Sequence, residues 1–340
     1  MAQISKKMQK NVLHKNKILP LAYNFLDMKR ILLLIVVVFS CIFELYSQEN
    51  PLITQNWYSR INYNPASAGN NDAWDIFMVQ RMQWVGFKNA PRTTMLNLHT
   101  SIDDFNSGIG TSIAYDPEGP ARTSFLAKIV YSYRINITDK SQLAFGLGIN
   151  VQNRRLDYTK LTLEDIIPDP LVGVDAEGRT SFGVDFGLEF LTERLAIGAS
   201  VTNLGRQRDR LTTFLNGTQY YGYGYYKFPV SDDFGFAPTA TYVYGNTEHL
   251  LEIGANLSYR NDVWGGLAYR VDNAVCAFVG FRFGIFRLGY SLDYHTNDAS
   301  NFGATHEVFL SIRIGKPQPG LIRNSDGSYS ASPRRIYHCW

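Results

Sequence analysis

The stretch Ser181-Phe182-Gly183-Val184-Asp185-Phe186-Gly187-Leu188-Glu189-Phe190 alternates between large apolar residues and small or charged ones. A period of two is typical of a β-strand that has one apolar face and one polar face. The same pattern recurs more than a dozen times along the chain, and the apolar face stays almost free of charge. Together with 21 tyrosines, 21 phenylalanines and 28 glycines, this recurrence predicts an all-β fold with many strands and tight turns.

Thirteen clear segments with this alternation lie between residues 74 and 315. They are 74–85, 92–102, 107–116, 122–137, 141–154, 180–191, 195–201, 235–245, 248–260, 262–271, 274–284, 286–295 and 305–315. An odd number of membrane-spanning strands would leave the two ends of the chain on opposite sides, so the aromatic segment 217–228 is predicted as a fourteenth strand. This assignment places the long stretches 155–179, 204–216 and 296–304 on one side, expected to be extracellular.

Two architectures fit repeated alternation, a soluble sandwich or propeller and a transmembrane barrel. In the segment 286–295, Leu288 and Tyr290 belong to a face without charge, and Arg287 and Asp293 lie on the opposite face. A lysine or arginine facing lipid at the membrane midplane costs roughly 2 to 4 kcal/mol, so a barrel must sort its charges to the lumen. Tyrosines near the strand ends fit the aromatic girdles of such barrels. The sequence favours an outer-membrane β-barrel of about fourteen antiparallel strands and leaves the sandwich as the alternative.

An export signal precedes the strands. Met28-Lys29-Arg30 and the apolar run 31–43 predict a secretory signal peptide that starts at Met28 and is cleaved before Gln48. The run is short for a transmembrane helix, and it continues past Cys41, which disfavours lipidation there. The predicted organisation is an extension and signal peptide at 1–47, a periplasmic segment at 48–73, the barrel at 74–315 and a tail without strand pattern at 316–340.

Charge and motifs exclude several functional classes. The formal net charge is +3, but residues 1–47 hold seven basic and two acidic side chains, which leaves −2 for the remainder and no support for nucleic-acid binding. Cys276 and Cys339 form neither a disulfide framework nor a metal cluster. No catalytic motif is present, so we expect no enzyme activity and no cofactor. Three acids in the stretch 155–179 are interpreted as solvated, with a calcium site as the less favoured alternative. They are Asp165, Asp169 and Asp175.

Two stretches on the expected outer side are candidate partner contacts. One is a charged loop and the other is an aromatic run, for which binding of sugar or peptide and a strand entering the membrane interface are equally open. The residues are Arg206, Arg208, Arg210, Tyr220, Tyr221, Tyr223 and Tyr225.

Three motifs carry a family resemblance. They are Asn62-Tyr63-Asn64-Pro65-Ala66-Ser67-Ala68-Gly69, Arg81-Met82-Gln83-Trp84-Val85-Gly86 with Ala90-Pro91-Arg92-Thr93, and His306-Glu307-Val308-Phe309-Leu310. In this order behind a signal peptide they resemble the PorP/SprF family of Bacteroidetes outer-membrane proteins, over essentially residues 48–315. The motif positions of interest are Asn64, Pro65, Gly69, Arg81, Gln83, Trp84, Pro91 and Thr93.

The resemblance implies a non-enzymatic outer-membrane barrel of the type IX secretion or gliding-motility machinery. Its expected partners are secreted adhesins with C-terminal sorting domains, other type IX components and outer-membrane lipid, and its role is to help export the adhesin or hold it at the surface. Arg81 and Gln83 are expected to point inward and to clamp the segment before the first strand inside the lumen by hydrogen bonds, with a polar lining of the lumen as the alternative. The alternative function is a general or substrate-specific porin.

Overall fold

Fourteen antiparallel strands form one closed sheet in a computed structural model of the chain. The structure describes residues 53–70, 73–102, 105–138, 140–160, 176–205, 217–245 and 249–315, and the backbone of 321–323 and 329–331. The strands are β1 Trp74–Met82, β2 Arg92–Ile102, β3 Ser107–Glu118, β4 Arg122–Thr138, β5 Ser141–Asp157, β6 Ala176–Thr192, β7 Leu195–Leu204, β8 Gln219–Tyr226, the two-residue β9 Phe228–Pro229, β10 Phe234–Tyr244, β11 His249–Tyr259, β12 Val263–Arg270, β13 Ala274–Phe283, β14 Phe286–His295 and β15 Thr305–Ile314.

The sheet closes because the first strand pairs with the last. β1 and β15 are antiparallel over the full length of β1, from Trp74↔Ile314 to Met82↔His306. The other spanning strands pair with their neighbours in chain order, and β9 continues the edge of β8 beside β10. The prediction of fourteen strands is confirmed, including the strand predicted at 217–228, which is β8.

The two faces of the barrel have opposite polarity. Each of the fourteen spanning strands exposes at least one large apolar side chain, for example Phe186 at 46% exposure. The adjacent Asp185, at 0%, points into the lumen together with most of the charged side chains of the strands. A soluble sandwich would bury its apolar face, so this polarity is that of a transmembrane barrel.

The connections differ between the two ends of the barrel. Because the strands are antiparallel, the four longest connections, after β1, β5, β7 and β14, lie at the same end, here called the outer end. The opposite, inner end has tight turns such as the one through Arg260 and Asn261, which have φ values of 50° and 56°. Short inner turns and long outer loops are typical of outer-membrane barrels. Residues 161–175 and 206–216 of the long connections lie outside the described residues.

Residues 53–70, here called the internal segment, lie inside the barrel. Nearly all of their side chains are buried, and they include two short 3-10 helices, Asn56–Tyr58 and Pro65–Ser67. The described part of the predicted periplasmic segment 48–73 is therefore not in the periplasm but inside the lumen, where Arg81 and Gln83 were expected to clamp it. The lumen of a fourteen-stranded barrel is too wide for wall side chains alone to fill, which explains why it holds a stretch of chain.

Three smaller features complete the fold. β1 ends at Met82, three residues before the predicted end, so Gln83 and Trp84 belong to the connection that follows. The tail was predicted to have no strands, yet Leu321–Arg323 and Tyr329–Ala331 pair as a short hairpin. Over the described residues, the structure has no helix of the length and apolarity needed to cross a membrane. The predicted signal peptide lies outside the described residues.

We expect Phe186→Arg to disturb assembly of the barrel, because it places a cation on the lipid-facing surface. If Phe186 lies near the midplane, the cost is about 2 to 4 kcal/mol. Heat-modifiable gel mobility of the outer-membrane protein measures the folded fraction. Phe186→Leu is the matched control and should fold normally; equal behaviour of the two variants would contradict a lipid-facing position.

The topology predicts which connections are accessible on intact cells. An epitope tag inserted after Gly173, between β5 and β6, should bind antibody on intact cells. A tag between Thr138 and Lys140, at the inner end, should bind antibody only after the outer membrane is permeabilised. The reverse pattern would invert the assignment of the two ends.

Candidate functional site: the segment inside the barrel

The internal segment crosses the lumen from the outer towards the inner end. Thr54 donates a hydrogen bond to Asp293, 2.7 Å away near the outer end of β14. At the other end of the segment, the carbonyl oxygen of Ala68 accepts a hydrogen bond of 2.6 Å from Ser132, in the inner half of β4. The segment then leads into β1 at its inner end. We distinguish an upper half, residues 53–60, from a lower half, residues 61–70.

The lower half contains the first family motif, whose turn is built by Asn64 and Pro65. The Asn64 side chain accepts a hydrogen bond from the Ala66 amide at 2.9 Å and so caps the 3-10 helix that begins at Pro65. The same side chain donates to the Leu188 carbonyl at 3.0 Å and to the Tyr223 hydroxyl at 2.8 Å. Asn64 thus joins the turn to two strands of the wall.

Glycines in the wall make room for this turn. A Cβ added to Gly146 on β5 would collide with the backbone of Pro65 and Ala66, and one added to Gly187 on β6 would collide with the Asn64 side chain. In the same way, a Cβ added to Gly108 on β3 would collide with the backbone of Ala68. These glycines form a groove into which the lower half fits, so the fit depends on the absence of side chains.

Gly69 is fixed by its conformation and by its surroundings. It has a φ of +67°, and a Cβ on it would lie 2.8 Å from the Cα of Gly108. Its amide donates to Nδ1 of His99 at 3.2 Å, and its carbonyl accepts from Arg134. A residue other than glycine would be strained here for both reasons.

Polar side chains of the wall bind the backbone of the lower half. Lys128 donates to the carbonyl of Asn62 at 2.7 Å, and Ser200 donates to the carbonyl of Tyr63 at 2.6 Å. Because Ser132 and Arg134 bind two further carbonyls, the wall satisfies four acceptors that would otherwise be buried without partners. Recognition of the lower half therefore depends on its backbone as much as on its side chains.

An ion pair links the two halves to β6. Arg60 donates through Nε to Glu189 at 2.7 Å, and its guanidinium lies 5.6 Å from the ring centre of Tyr225. Glu189, fully buried, also accepts from the Tyr223 hydroxyl at 2.6 Å and from Asn70 at 2.5 Å. Removing one partner of a buried ion pair typically costs about 3 to 5 kcal/mol, so this contact strongly favours the inserted segment.

The N-terminal end of the upper half contacts a network of buried charges near the outer end of the barrel. Asp293 lies 2.8 Å from Arg81 and 2.8 Å from Arg270, and Arg81 also pairs with Glu307. Thr54 joins this network through its amide, which donates to Glu307 at 2.9 Å, and through its hydroxyl. Glu252 completes it at 2.7 Å from Arg270.

The structure brings most of the motif residues together around the internal segment. Asn64, Pro65 and Gly69 lie in its lower half, and Arg81 holds the two acids that Thr54 binds. Thr93 pairs with Arg81 across the strands and donates to Asp116 at 2.7 Å.

The prediction that Arg81 and Gln83 clamp the segment needs a correction, because only Arg81 takes part. Arg81 acts indirectly: it binds Asp293 and Glu307, and these two acids bind Thr54. Gln83 lies beyond β1, where its backbone N–H donates to the Pro91 carbonyl at 3.0 Å and closes the connection between β1 and β2. The Trp84 ring packs against Phe302 at the outer end, with the ring centres 5.6 Å apart.

The candidate partner contacts are distributed differently from the prediction. Tyr221, Tyr223 and Tyr225 are buried against the internal segment, with the Tyr63 and Tyr221 ring centres 5.4 Å apart. These three tyrosines therefore have no surface to offer an external partner, whereas Tyr220 is exposed on the outer face. Arg206, Arg208 and Arg210 lie outside the described residues.

Sequence reasoning missed the acids and glycines that hold the segment. Glu189 and Asp293 were visible only as polar positions on alternating strands, and Glu307 only as part of the third motif. Their partners in the internal segment lie more than a hundred residues away in sequence. Gly146 and Gly187 looked like ordinary small residues of a lumen face. Among the described residues, no group of three or more histidines, cysteines and acids is placed to hold a metal ion.

We expect Gly146→Ala to prevent the lower half from seating, because its Cβ would collide with the backbone of Pro65 and Ala66. Overpacking of this kind costs about 1 to 3 kcal/mol. The thermal unfolding midpoint of the purified barrel measures the loss. Gly222→Ala is the matched control, since its Cβ would meet nothing within 4 Å; equal loss in both variants would count against the groove.

Solved structures similar to this chain are barrels of the bacterial outer membrane, at low similarity. The toluene transporter TodX of Pseudomonas putida is 9% identical with a TM-score of 0.47, and the alignment covers 79% of this chain and 96% of TodX. A FadL homologue of Pseudomonas aeruginosa is 10% identical with a TM-score of 0.42, over 78% of this chain and 99% of the homologue. The KdgM porin is 10% identical with a TM-score of 0.38, over 71% of this chain and 99% of the porin. A comparison with curated protein sequences finds no match.

A family model gives the specific result. The model described as type IX secretion system membrane protein PorP/SprF matches residues 45–312. The matched range includes the internal segment and every spanning strand up to the last two residues of β15. The chain therefore belongs to the PorP/SprF family of type IX secretion system membrane proteins, and its closed barrel is located in the outer membrane.

Proposed function

We propose that this barrel supports the secretion or surface anchoring of a large adhesin with a C-terminal sorting domain, and that it acts without catalysis. The membership of the PorP/SprF family supports a partner among the type IX secretion components. The adhesin as cargo, and a contribution to gliding motility, are the finer parts of the proposal. Export through a signal peptide that ends before Gln48 belongs to it as well.

The observation that carries the proposal is the internal segment. A porin needs a continuous aqueous path through its lumen. A fourteen-stranded barrel is wide enough to contain such a path, provided that nothing fills the lumen. Here the Trp57, Tyr58 and Tyr63 side chains lie across the lumen with exposures of 7% or less. A filled barrel is suited to serve as a rigid scaffold whose outer loops bind another protein.

The barrel also offers a suitable surface at its outer end. The connection after β1 exposes Val85 and Phe87 at 50% and 52%, and Phe302 from the connection after β14 packs against Phe87 with ring centres 5.1 Å apart. Ordered apolar side chains beyond the strands, on loops fixed by a rigid wall, are typical of protein-binding surfaces. The charged stretch 206–210 lies outside the described residues, but the strands that flank it in sequence, β7 and β8, meet at the same end of the barrel.

We expect replacement of Arg206, Arg208 and Arg210 by glutamine to reduce surface display of one large exported protein, because the loop loses its positive charge. Proteomics of the cell surface and of the culture medium measures the display. Lysine at the same three positions keeps the charge and is the matched control. The abundance of the barrel itself should stay constant in both variants.

A second measurement separates the proposed function from the porin alternative. Purified full-length protein in planar lipid bilayers should carry no steady ionic current. A steady open pore, together with lost uptake of a small nutrient and an unchanged surface proteome in a deletion strain, would reject the adhesin role in favour of a porin.

A further inference from the structure

The two halves of the internal segment are attached to the wall in different ways. The lower half fits into backbone space that Gly108, Gly146 and Gly187 leave open. The upper half, residues 53–60, meets none of the glycines in this way and is held by side chains of β12 to β15, by Asn97 and by Glu189. Contacts between side chains can be broken one by one, whereas a chain seated among glycines has to leave as a unit.

The wall opposite the upper half forms an aromatic pocket made of Trp264, Phe278 and Phe309. Trp57 packs against Phe278 with ring centres 5.0 Å apart and an interplanar angle of 62°. Tyr58 lies 5.0 Å from Trp264 and 5.0 Å from Phe309. Edge and tilted contacts of this kind add to the stabilisation that burial of the rings provides.

The wall itself supports two of the three rings of this pocket. Trp264 lies over Gly280 of the neighbouring strand and Phe309 lies over Gly289, so closely that a Cβ on either glycine would collide with the ring. The rings are therefore supported by the wall. A pocket supported in this way is preformed, which lowers the cost of binding a ligand.

Polar groups extend the pocket at both ends. Asp293, Glu307 and Arg270 bind Thr54, and Glu189 binds Arg60 at the opposite end of the upper half. Between them, Trp264 donates to the Gln55 side chain at 2.9 Å. The pocket with its two polar ends thus matches a peptide of about the length of the upper half that contains a short 3-10 turn.

Residues 53–60, which fill this pocket, leave some buried polar atoms without hydrogen bonds. Nδ2 of Asn56 is buried, and within the described part of the chain it has no hydrogen-bond partner. On the wall, Oδ1 of Asn97 is buried without a partner among the same residues, although its Nδ2 donates to Ser59 at 2.8 Å. Buried polar groups left unpaired weaken an interaction, so a peptide that satisfies them would bind more tightly than residues 53–60 do.

We propose that the aromatic pocket and its polar ends are a peptide-binding site, occupied here by residues 53–60 of the same chain. Its ligand is a segment of a protein partner that adopts the same short 3-10 turn. It has a hydroxyl side chain, two adjacent aromatic side chains three and four positions later, and an arginine two positions after those. The partner enters from the outer end, where Thr54 and the charged network lie. That the partner is the exported adhesin rests on the proposed function; the binding site itself does not.

The first test uses a variant that lacks residues 50–60 and a fluorescent peptide with the sequence of residues 53–60. Fluorescence anisotropy in detergent should show saturable binding to the deletion variant. The affinity of the full-length protein for the peptide should be at least about tenfold lower, because its own segment reduces the fraction of empty sites. Heat-modifiable gel mobility establishes that the variant is folded.

The control peptide carries Trp57→Ala and Tyr58→Ala. It should bind the deletion variant about 100-fold more weakly, since buried Trp and Tyr side chains dominate binding at such sites. A folded deletion variant that does not bind the peptide, or that binds both peptides equally, would overturn the proposal. Neither result depends on an adhesin, so the failure of this test would leave the proposed function standing.

The second test needs no deletion and remains decisive if the variant does not fold. Hydrogen exchange of the full-length protein should be about tenfold faster for the amides of residues 53–60 than for those of residues 63–69, because the upper half opens without the lower half. Equal protection of the two halves would show that the segment moves as one piece. It would reject the proposal that a partner peptide can replace residues 53–60.

Discussion

Inside a bilayer no water is available to the backbone, so every N–H and C=O group of a spanning strand must bond within the protein. The pairing of β1 with β15 satisfies this requirement, because it removes both edges of the sheet. Closure at fourteen strands also creates a lumen that wall side chains cannot fill. The internal segment, its glycine groove and the buried charges are responses to that one constraint.

The filled lumen explains where the charges lie. Asp185 pairs with Lys128 at 2.5 Å, Glu189 with Arg60 and Asp293 with Arg81, all with side chains at 9% exposure or less. A buried charge without a partner is costly, so a lumen that excludes water requires such pairing. In a water-filled channel the same side chains would be solvated and their arrangement less constrained. The pairs and the segment therefore depend on each other.

The alternation of residues such as Phe186 and Asp185 was enough to predict thirteen strands and the faces of their side chains, because a spanning strand must present one face to lipid. The fourteenth strand, β8, followed from the even number of strands that places both ends of the chain on one side. The interior was harder to predict. Asp293 and Thr54 are 239 residues apart and meet only because the sheet closes. Gly187 has its role because Asn64 lies against it, and no local pattern records that contact. The inward direction of Tyr221 follows from the strand period, but its partner Tyr63 does not.

The internal segment stands immediately before β1, and β1 is the strand that must wait for β15 before the barrel can close. The lower half contacts β5 and β6 through Gly146 and Gly187, several strands away from that seam. A curved, still open sheet can therefore receive the segment, whereas a closed one would have to be entered from its end. The wall has to curve around a segment of fixed size, and the seam between β1 and β15 closes a lumen that this segment occupies.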